Sequence, residues 1–526
     1  MSTGLDYPGA RPFQRTDSGR FFGRAAEAAE LREVWQRNQL TFMYGPAGIG
    51  KTSLLAAGVL PLIEGNNVDL LPVGGFSKGS SYPVAAPGEH TPYTLALLRS
   101  WSTPGTVSQL RRLTVDEFVA RRTEFRDPAV LLLAAIDQAD DLFAGPQSRQ
   151  QQRWRFLREL QDALQEPSLR LLISVRDEAL PQFTEAIGRG AQFRLNALEP
   201  EQACRAVEGP GLFEPTAARD LVEAVRTSRM VTAEGSRRRV VADRIEPALL
   251  QVACAGLWES LRPRSGAIRQ RDLRRRGDVD AALSIYCGET IAAVADIHDI
   301  PAAWLRLWLI RTFITDIGFL EAAGEGVAEG AGLPPTVARG LEDRYLLRSL
   351  AGQPVSSRLY QLISDRIVEP LRHARDDMTP AEDAGEYLLA AERALIAGEL
   401  DLAERYAAKA REAAPQTALR LHAQADSLLG NLAYEKGDLD QAVAHYRNAA
   451  SLFEAAREHG SVALLLAATG RTLAARGDLL AAINELHAAV LRMPADGIIQ
   501  TELSAAVQEL AWRLATGDRG PSISPG

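Results

Sequence analysis

The stretch YGPAGIGKTSLL, residues 44–55, decides how the first part of the chain folds. It contains a match to the pattern G-x-x-x-x-G-K-[ST], made by Gly45, Pro46, Ala47, Gly48, Ile49, Gly50, Lys51 and Thr52. A short β-prone run, Leu40 to Tyr44, precedes the match, and an apolar pattern with helical spacing starts at Ser53. The motif requires a strand, a glycine loop and a helix in this order, so a chance glycine loop is a poor explanation.

Each residue type in this loop has a physical role. Glycines let successive backbone N–H groups turn inward as a nest for an anion, and the start of the helix adds partial positive charge. Lys51 is expected to reach the outer phosphates of ATP or ADP, and Thr52 to place its hydroxyl on Mg²⁺. We therefore predict that residues 45–53, Ser53 included, bind the nucleotide.

A metal-binding acid is expected on a neighbouring strand, and AVLLLAAIDQADDLF, residues 129–143, supplies one. The run from Ala129 to Ile136 is continuously apolar, which is typical of a strand buried on both faces of a parallel sheet. Asp137 ends it and is expected to hold Mg²⁺ directly or through water. Asp140 and Asp141 are candidates to orient an attacking water. Capping of the next helix is the alternative role for these two aspartates.

A third strand is predicted in SLRLLISVRDEAL, residues 168–180, and a further one in VDLLPVGGFS, residues 68–77. The third strand ends at Arg176, at the edge of the sheet where ligands bind in such folds. Arg176 is a candidate to sense the γ-phosphate or to support a neighbouring subunit, with a surface salt bridge as the alternative. The first half of the chain is therefore predicted to be an open, mostly parallel α/β sheet.

The composition is that of an ordinary globular protein. The chain has 526 residues, of which 46% are hydrophobic and 24% charged, and its length favours three or four domains. A net charge of −8 provides no basic field for nucleic acid or an anionic membrane. Three cysteines in no metal spacing suit a reducing compartment. With no signal pattern and no apolar run long enough to span a bilayer, we expect a soluble cytoplasmic protein.

The glycine motif GPAGIGKTSLL and the acidic motif IDQADDLF occur together with three flanking segments. In this combination the chain resembles the STAND class of signalling ATPases, most closely its bacterial novel STAND branch. The segments are YPGARPFQRTDSGRFFGRAAEAAEL at 7–31, RIEPALLQVACAGLWESL at 244–261, and IRQRDLRRRGDVDAALSIY at 268–286 leading on to LYQLISDRIVEPL at 359–371. The resemblance covers roughly residues 5–375, and its specificity lies in the combination of motifs.

The resemblance implies a P-loop core followed by a small helical lid and a winged helix that fold over the nucleotide. Such proteins are switches: ADP holds a closed monomer, and a sensed ligand with ATP opens it into a multimer that drives an effector. By position, Phe22, Gly23 and Arg24 match the family's segment against the adenine, and Pro247 matches a lid proline near the base. Simple core packing is the alternative for Phe21 and Phe22.

Two residues depart from the family pattern. The family usually has glutamates where this chain has Asp140 and Asp141. Their shorter side chains are expected to hold a water less well, so we expect slow hydrolysis. The family usually has His-Asp in the winged helix, where this chain has Ser364-Asp365, so the closed state is expected to be weaker or differently locked.

From about residue 380 the chain becomes rich in Ala, Leu and Glu and repeats itself. The three copies AGELDLAERYAAKAREAAP, KGDLDQAVAHYRNAASLF and RGDLLAAINELHAAVLRMP align at Gly398, Gly437 and Gly477. The second has Gly430, Ala442, Tyr446 and Ala449 at positions where tetratricopeptide repeats use them, and the third has Gly470, Ala482, Ala489 and Pro494. We predict a helical solenoid that binds a partner protein or peptide, with a generic helical bundle as the alternative.

The predicted organisation has six parts. They are a lead segment at 1–20, the P-loop core at 21–200, the helical lid at 201–262, the winged helix at 263–377, the tetratricopeptide repeats at 378–515 and a disordered tail at 516–526.

Three functions compete. The first is a STAND-type switch that forms a homo-oligomer and activates a separate effector subunit, and the family suggests bacterial defence. The second is a DNA-binding transcription regulator of the STAND type that uses its winged helix. The arginines of 236–241 and 262–277 favour it, although alternating aspartates and the acidic chain make nucleic acid the weaker choice. The third is a steady P-loop engine or a metabolic kinase. The missing glutamate after Asp137-Gln138 disfavours it, and so does the absence of an obvious second substrate site.

Overall fold

The fold is that of a computed structural model. It describes residues 7, 9, 11–63, 67–76, 91–102, 113–124, 126–127, 129–143, 150–231, 237–261, 266–314, 320, 322–324, 335–350, 359–375, 384–492 and 498–516. The predicted tail lies outside the described residues beyond Thr516, where the last helix ends.

The chain forms two compact units. The first consists of Met1–Val68, Leu172–Glu185 and Arg189–Ala381, and the second of Asp69–Leu171, Ala186–Gly188 and Glu382–Gly526. The phosphate loop, Arg176 and the predicted lid and winged helix belong to the first unit. Asp137 and the predicted repeats belong to the second.

A five-stranded sheet confirms the predicted α/β core. Its strands are β1 (Leu40–Tyr44), β2 (Val68–Leu70), β3 (Leu131–Ile136), β4 (Leu169–Val175) and β5 (Ala191–Arg194), in the order β2-β3-β4-β1-β5. β1 and β5 run parallel, with Thr41 opposite Ala191. Nearly every residue of β3 and β4 is buried, as expected for a parallel sheet covered on both faces.

Helices follow the strands of this core. They are α1 (Ala25–Arg37), α2 (Lys51–Ser53), α3 (Pro92–Trp101), α4 (Val115–Thr123), α5 (Gln150–Ala163) and α6 (Leu180–Ile187). The helix after the phosphate loop is irregular, since α2 continues as a π-helical stretch at Leu54–Val59 and a 3₁₀ turn at Leu60–Leu62. π-helical turns of this kind are frequent at functional sites.

The next part of the chain covers the predicted helical lid and the predicted winged helix, which is called the small domain below. Its elements are α7 (Pro200–Glu208), α8 (Pro215–Arg226), β6 (Thr227–Val231), β7 (Arg237–Val241), α9 (Pro247–Leu261), α10 (Gln270–Arg276), α11 (Val279–Ile297), α12 (Ala302–Phe313), β8 (Ala323–Gly324), α13 (Pro335–Asp343), β9 (Leu347–Ser349), β10 (Leu359–Leu362) and α14 (Val368–His373). β8, β10 and β9 form an antiparallel sheet in that order. A winged helix in this region stays a prediction.

The predicted lid and winged helix share one hydrophobic core. It runs from Leu198 to Ala374 and contains residues of α7, α8, α9, α11 and α13. At Gly256 in α9 a methyl group would lie 2.8 Å from Ala282 Cβ of α11, so these two helices approach as closely as a glycine permits. No sequence feature predicted the antiparallel hairpin of β6 and β7 within the lid.

Seven helices end the described chain. They are α15 (Ala384–Ala397), α16 (Leu400–Ala413), α17 (Leu419–Glu435), α18 (Leu439–Ala455), α19 (His459–Arg476), α20 (Leu479–Arg492) and α21 (Ile498–Thr516). Consecutive helices pack on each other, which agrees with three helical hairpins and one further helix. The aligned glycines Gly398, Gly437 and Gly477 have φ of +78°, +81° and +92° and separate the two helices of each hairpin.

Within the second unit, the repeats also pack on part of the nucleotide-binding core. α15 contacts the turn at Ala139–Phe143 that follows Asp137. Leu95 of α3 packs against the apolar cluster formed by α17, α18 and α19. The repeats therefore pack directly on this part of the core, at the turn Ala139–Phe143 and at Leu95.

Small residues set how closely the paired helices approach, as predicted. A methyl group at Gly430 of α17 would lie 2.5 Å from Tyr446 Cδ1 of α18. The Tyr446 ring is fully buried, and its hydroxyl donates to Asn431 Oδ1 at 2.9 Å. Gly470 of α19 faces Leu486 of α20 in the same way.

The three cysteines are unpaired thiols. Cys254 in α9 and Cys287 in α11 are buried in the shared core, and Cys204 in α7 is partly buried. Burial raises the pKa of all three thiols, which keeps them in the unreactive protonated form.

Gly430→Ala is expected to destabilise the repeats. Overpacking against the fixed Tyr446 ring costs ~1–3 kcal/mol, which exceeds the ~1 kcal/mol that alanine gains over glycine inside a helix. Thermal unfolding followed by circular dichroism measures the change. Gly460→Ala is the matched control, because no atom lies within 4 Å of a methyl group there. An equal effect of both variants would contradict close packing at Gly430.

Candidate functional site

The phosphate loop joins β1 to α2 with the backbone that its glycines allow. Gly48 and Gly50 have φ of +72° and +92°, in the left-handed region that favours glycine. At Gly45 a methyl group would lie 2.6 Å from the carbonyl oxygen of Leu195, which itself follows β5. The loop is therefore pressed against the end of the neighbouring strand at Gly45, where a side chain has no room, whereas Gly50 is needed for its backbone conformation alone.

The side chain of Lys51 folds back over the phosphate loop. Its Nζ donates to the carbonyl oxygens of Gly45 at 2.6 Å and Pro46 at 2.9 Å. Thr52 follows it in α2, and Ser53 Oγ accepts a hydrogen bond from the N–H of Phe13 at 3.1 Å. Ser53 thus anchors residue 13 of the N-terminal segment to the helix that starts at the loop.

The N-terminal segment is fixed by Asp17. This buried carboxylate accepts hydrogen bonds from Arg11 Nη1 at 2.8 Å and from the N–H of Gln14 at 2.9 Å, and forms an ion pair with Arg20. Burial alone would raise the pKa of Asp17, but these hydrogen bonds outweigh it and lower the pKa to about 2. The ring of Phe21 packs on that of Phe13, with centroids 5.4 Å apart.

Arg24 ties this segment to the loop. Its side chain is buried, and Nη2 donates to the carbonyl oxygens of Ile49 at 3.1 Å and Asn196 at 2.9 Å. Burial lowers the pKa of the guanidinium to about 10, which leaves it charged at neutral pH. Gly23, with φ of +88°, lies against the carbonyl oxygen of Gln202 in α7.

Phe22 is placed differently from Arg24. Phe22 is 39% exposed, whereas Phe21 is partly buried. It lines a cavity of about 580 Å³ together with Phe21, Ala26, Gln202, Arg205 and Gly209. Among the described residues that line this cavity there is no member of the phosphate loop and no Pro247. That Phe22, Gly23 and Arg24 lie against the adenine stays a prediction.

Pro247 begins α9, where its fixed φ and missing N–H suit the first helical position. Oε1 of the preceding Glu246 lies 3.7 Å from Nη1 of Arg348. Burial raises the pKa of Glu246, while the charges of Arg348 and Arg24 oppose this. Sequence reasoning missed both Glu246 and Arg348, although Glu246 stands in the motif RIEP.

Asp137 directly follows β3 and is 7% exposed. Its N–H donates to the carbonyl oxygen of Gly74 at 2.9 Å. Within the part of the chain that the structure describes, no hydrogen-bond donor reaches its buried Oδ1. A buried carboxylate oxygen without a donor suits a divalent cation, so Asp137 fits the predicted Mg²⁺ site. Asp140 and Asp141 lie in the first turn of the 3₁₀ helix Ala139–Phe143.

Arg176 follows β4 and forms salt bridges, as in the alternative considered for it, although one of its two partners is buried. Its guanidinium forms an ion pair with the wholly buried Glu342 of α13, and Nη2 lies 3.1 Å from Asp343 Oδ1. Only 16% of the Arg176 side chain is exposed. These two acids were not predicted, because they are 166 and 167 positions away along the chain.

Ser364 caps the 3₁₀ turn Asp365–Ile367, since its Oγ accepts from the N–H of Arg366 at 3.2 Å. Arg366 in turn donates from Nε to the carbonyl oxygen of Ala224 at 3.0 Å and forms an ion pair with Asp280. The residue that stands in the family's histidine position therefore has a structural role within its own turn.

Small-domain side chains lie against the tip of the loop. A methyl group at Gly48 would lie 3.1 Å from Tyr345 Cδ1 and 3.2 Å from Ile363 Cδ1. Tyr345 precedes β9 and Ile363 follows β10. Both belong to the region predicted as the winged helix.

A glycine loop between a strand and a helix, in a parallel sheet with an acid after another strand, defines the class of P-loop nucleoside triphosphatases. The model of the family Novel STAND NTPase 1 matches residues 6–313, more than half of the chain. The chain belongs to this family. No curated protein is similar enough to count as a match.

Several solved structures are similar to the chain. The Walker-type ATPase of Pyrococcus abyssi is 14% identical, with a TM-score of 0.37 over 69% of this chain and 98% of that one. The ORC2 protein of Aeropyrum pernix, in ADPNP–ADP complexes, is 15% identical, with a TM-score of 0.32 over 67% and 93%. A STAND protein with a tetratricopeptide repeat sensor from Pyrococcus horikoshii is 14% identical, with a TM-score of 0.28 over 98% and 79%.

Among the helices of the described residues, none combines the length and the hydropathy needed to cross a bilayer.

Asp17→Asn is expected to destabilise the chain at pH 7 and not at low pH. A carboxyl whose pKa is lowered on folding stabilises the fold above its ordinary pKa of about 4. That stabilisation is lost as the pH falls towards the folded value of about 2. Urea unfolding at pH 7, 5 and 3 measures the difference from the unaltered protein. The exposed Asp162→Asn serves as control, and a pH-independent difference would contradict the assignment.

Asp137→Asn is expected to have opposite effects without and with Mg²⁺. Neutralising a buried carboxylate whose Oδ1 lacks a donor raises the melting temperature of the metal-free protein. The same change removes the further rise that Mg²⁺ and nucleotide give the unaltered protein, because an amide is a poor Mg²⁺ ligand. Differential scanning fluorimetry with and without Mg²⁺ tests both effects, again with Asp162→Asn as control. An unchanged response to Mg²⁺ would remove Asp137 from the site.

Proposed function

We propose that this chain is an ATP-driven molecular switch. In the proposed cycle, ADP in the phosphate loop accompanies a closed form, and a sensed signal with ATP opens the protein into a homo-oligomer. The oligomer then scaffolds or activates a separate effector, in bacterial defence or conflict signalling. The family supports the nucleotide-binding core of this proposal, and the finer steps extend it.

One observation carries the choice of a switch over a steady engine. Tyr345 and Ile363, from the small domain, touch the phosphate loop at Gly48. Side chains packed on the loop have to move before the phosphates can exchange freely. Nucleotide exchange is therefore coupled to displacement of that domain, which is what a switch requires.

Thr52 and Asp137 are the residues proposed to hold Mg²⁺. When bound, the cation neutralises charge on the outer phosphates. Lys51 contributes a fixed positive charge at the loop, and Asp140 and Asp141 are proposed to orient a water. Their short side chains favour slow hydrolysis, which suits a switch that must persist in its ATP form.

The repeats are proposed as the arm that senses or docks a partner protein or peptide. Three helical hairpins with close approach at Gly430 and Gly470 support a solenoid, and solenoids use extended surfaces for such binding. The contact of α15 with the turn at Ala139–Phe143 offers a direct route from this arm to the acids after β3.

DNA-binding regulation is the weaker alternative. Several arginines of 262–277 have acidic partners within the protein: Arg269 pairs with Glu214, and Arg274 with Asp220 at 2.9 Å. An arginine already paired with an acid gains less from a phosphate. Binding of a fluorescent DNA duplex that falls steeply with salt would favour this alternative.

Lys51→Ala tests the proposed function. The unaltered protein is expected to release close to one ADP per chain when it is denatured, as measured by ion-exchange chromatography of the supernatant. Lys51→Ala is expected to release little nucleotide, because the charge over the loop is lost, and to remain monomeric with ATP in light scattering. Lys409→Ala, on the exposed face of α16, is the control. Tight ATP binding by Lys51→Ala would contradict the proposal.

A further inference from the structure

Three consecutive residues, Arg11, Pro12 and Phe13, join the predicted lid to the helix that follows the phosphate loop. The carbonyl oxygen of Arg11 accepts a hydrogen bond from Nε2 of Gln251 in α9 at 2.8 Å. The N–H of Phe13 donates to Oγ of Ser53 in α2 at 3.1 Å. Two consecutive peptide groups thus connect α9 with α2, and the three residues that carry them are called the bridge.

Pro12 makes the bridge stiff. Its ring fixes φ near −65°, and the peptide groups on both sides of it are planar. The Arg11 carbonyl and the Phe13 N–H belong to these two peptide groups, so ψ of Pro12 is the one soft dihedral between them. A large shift of α9 relative to α2 cannot be absorbed by bending of the bridge, and one of the two hydrogen bonds has to break.

The phosphate-loop end of the bridge is firmly held. The ring of Phe13 packs on that of Phe21, with centroids 5.4 Å apart. The buried carboxylate of Asp17 accepts a hydrogen bond from Arg11 Nη1 at 2.8 Å. The 3₁₀ turn that contains Asp17 also packs on the π-helical stretch after α2. This end therefore stays on the nucleotide-binding core when the lid moves.

The lid end of the bridge is held less firmly. The Tyr7 hydroxyl donates to the carbonyl oxygen of Val207 in α7 at 3.0 Å, and the Tyr7 ring meets that of Phe213 edge-on, with centroids 6.1 Å apart. The hydrogen bond between Gln251 and Arg11 is exposed to solvent, where water competes for both groups. This bond is weaker than the buried contacts at the other end, so the lid side opens first.

The bridge connects the two ends of the proposed nucleotide site. Ser53 directly follows Thr52, which is proposed to hold Mg²⁺. Gln251 stands four residues after Pro247, which is predicted to lie near the base, so the two lie on the same face of α9. Attaching Ser53 and Gln251 to one stiff tripeptide keeps α9 at a set position relative to the phosphate loop.

We propose that the bridge holds the lid over the nucleotide, and that rupture of the hydrogen bond between Gln251 and Arg11 controls how fast a nucleotide enters and leaves. This inference rests on the proposed nucleotide site. The bond that breaks joins protein to protein, so it opposes opening of the lid alike when the site is empty and when it is filled. Weakening it therefore speeds both entry and release and leaves the affinity nearly unchanged. Gln251 and the bridge thus act as positioning residues.

Gln251→Ala is the variant to test first, because Gln251 is only partly buried and its loss is compatible with folding. Association of the fluorescent analogue mant-ADP with Mg²⁺ is followed by stopped flow, and release is measured with an excess of unlabelled ADP. Gln251→Ala is expected to raise both rate constants about 2- to 10-fold, as for the net loss of one hydrogen bond. The Kd, their ratio, is expected to stay nearly constant.

Two comparisons make the test specific. Gln270→Ala removes a glutamine hydrogen bond to Asp220 on another helix, α10, and is expected to leave both rate constants unchanged. Pro12→Gly leaves the donor and the acceptor of the bridge in place but frees its φ, and is expected to act as Gln251→Ala does.

The outcomes separate this inference from the proposed function. If the unaltered protein does not bind mant-ADP, the proposed function fails and this inference fails with it. If it binds and Gln251→Ala leaves both rate constants unchanged, only this inference is overturned. The same holds if Gln251→Ala raises the release rate alone with a matching loss of affinity, because Gln251 would then act on the nucleotide and not on the lid.

Discussion

One buried guanidinium, that of Arg24, holds together the segments from which the site is built. It joins the N-terminal segment to Ile49 in the phosphate loop and to Asn196 beyond β5. Because C=O and N–H point in opposite directions across a trans peptide, fixing the Ile49 carbonyl turns the N–H of Gly50 away from Arg24. The N–H of Gly50 therefore points away from the buried Arg24 cation and is available to a bound anion. Burying this charge costs desolvation free energy, and the hydrogen bonds to the two carbonyls offset part of that cost.

Two groups of ion pairs link the small domain to other parts of the first unit. Arg348 faces Glu246 beside Pro247, and Glu342 and Asp343 face Arg176 after β4. Buried ion pairs of this kind give modest net stability, since desolvation offsets their attraction, yet they are specific about which groups meet. The lid and the small domain, by contrast, share one continuous apolar core. The ion pairs of Arg176 with Glu342 and Asp343 are thus easier to break than the apolar core, which is expected to move as a unit.

The sequence predicted the parts of the site that depend on local patterns. The phosphate loop and the buried strand before Asp137 follow from patterns within about twenty residues, and the repeat glycines follow from a period of about 40 residues. The partners of Arg176 and the pairing of Glu246 with Arg348 join residues about a hundred positions or more apart, and no periodicity records such contacts. The hairpin of β6 and β7 escaped prediction because β7, with the sequence RRRVV, indicates a charged surface segment more than a strand. Ser364 was read from a family position, whereas its hydrogen bond shows a helix cap.

The buried thiols have a practical consequence. Cys254 and Cys287 lie on α9 and α11, which pack together in the shared core, and both thiols are kept protonated by burial. Alkylation of either requires local separation of these two helices, whereas the partly buried Cys204 on α7 requires much less. The chain therefore carries a native pair of slow chemical probes and one faster reference thiol. The order in which the three are modified distinguishes rigid displacement of the lid from loss of its internal packing.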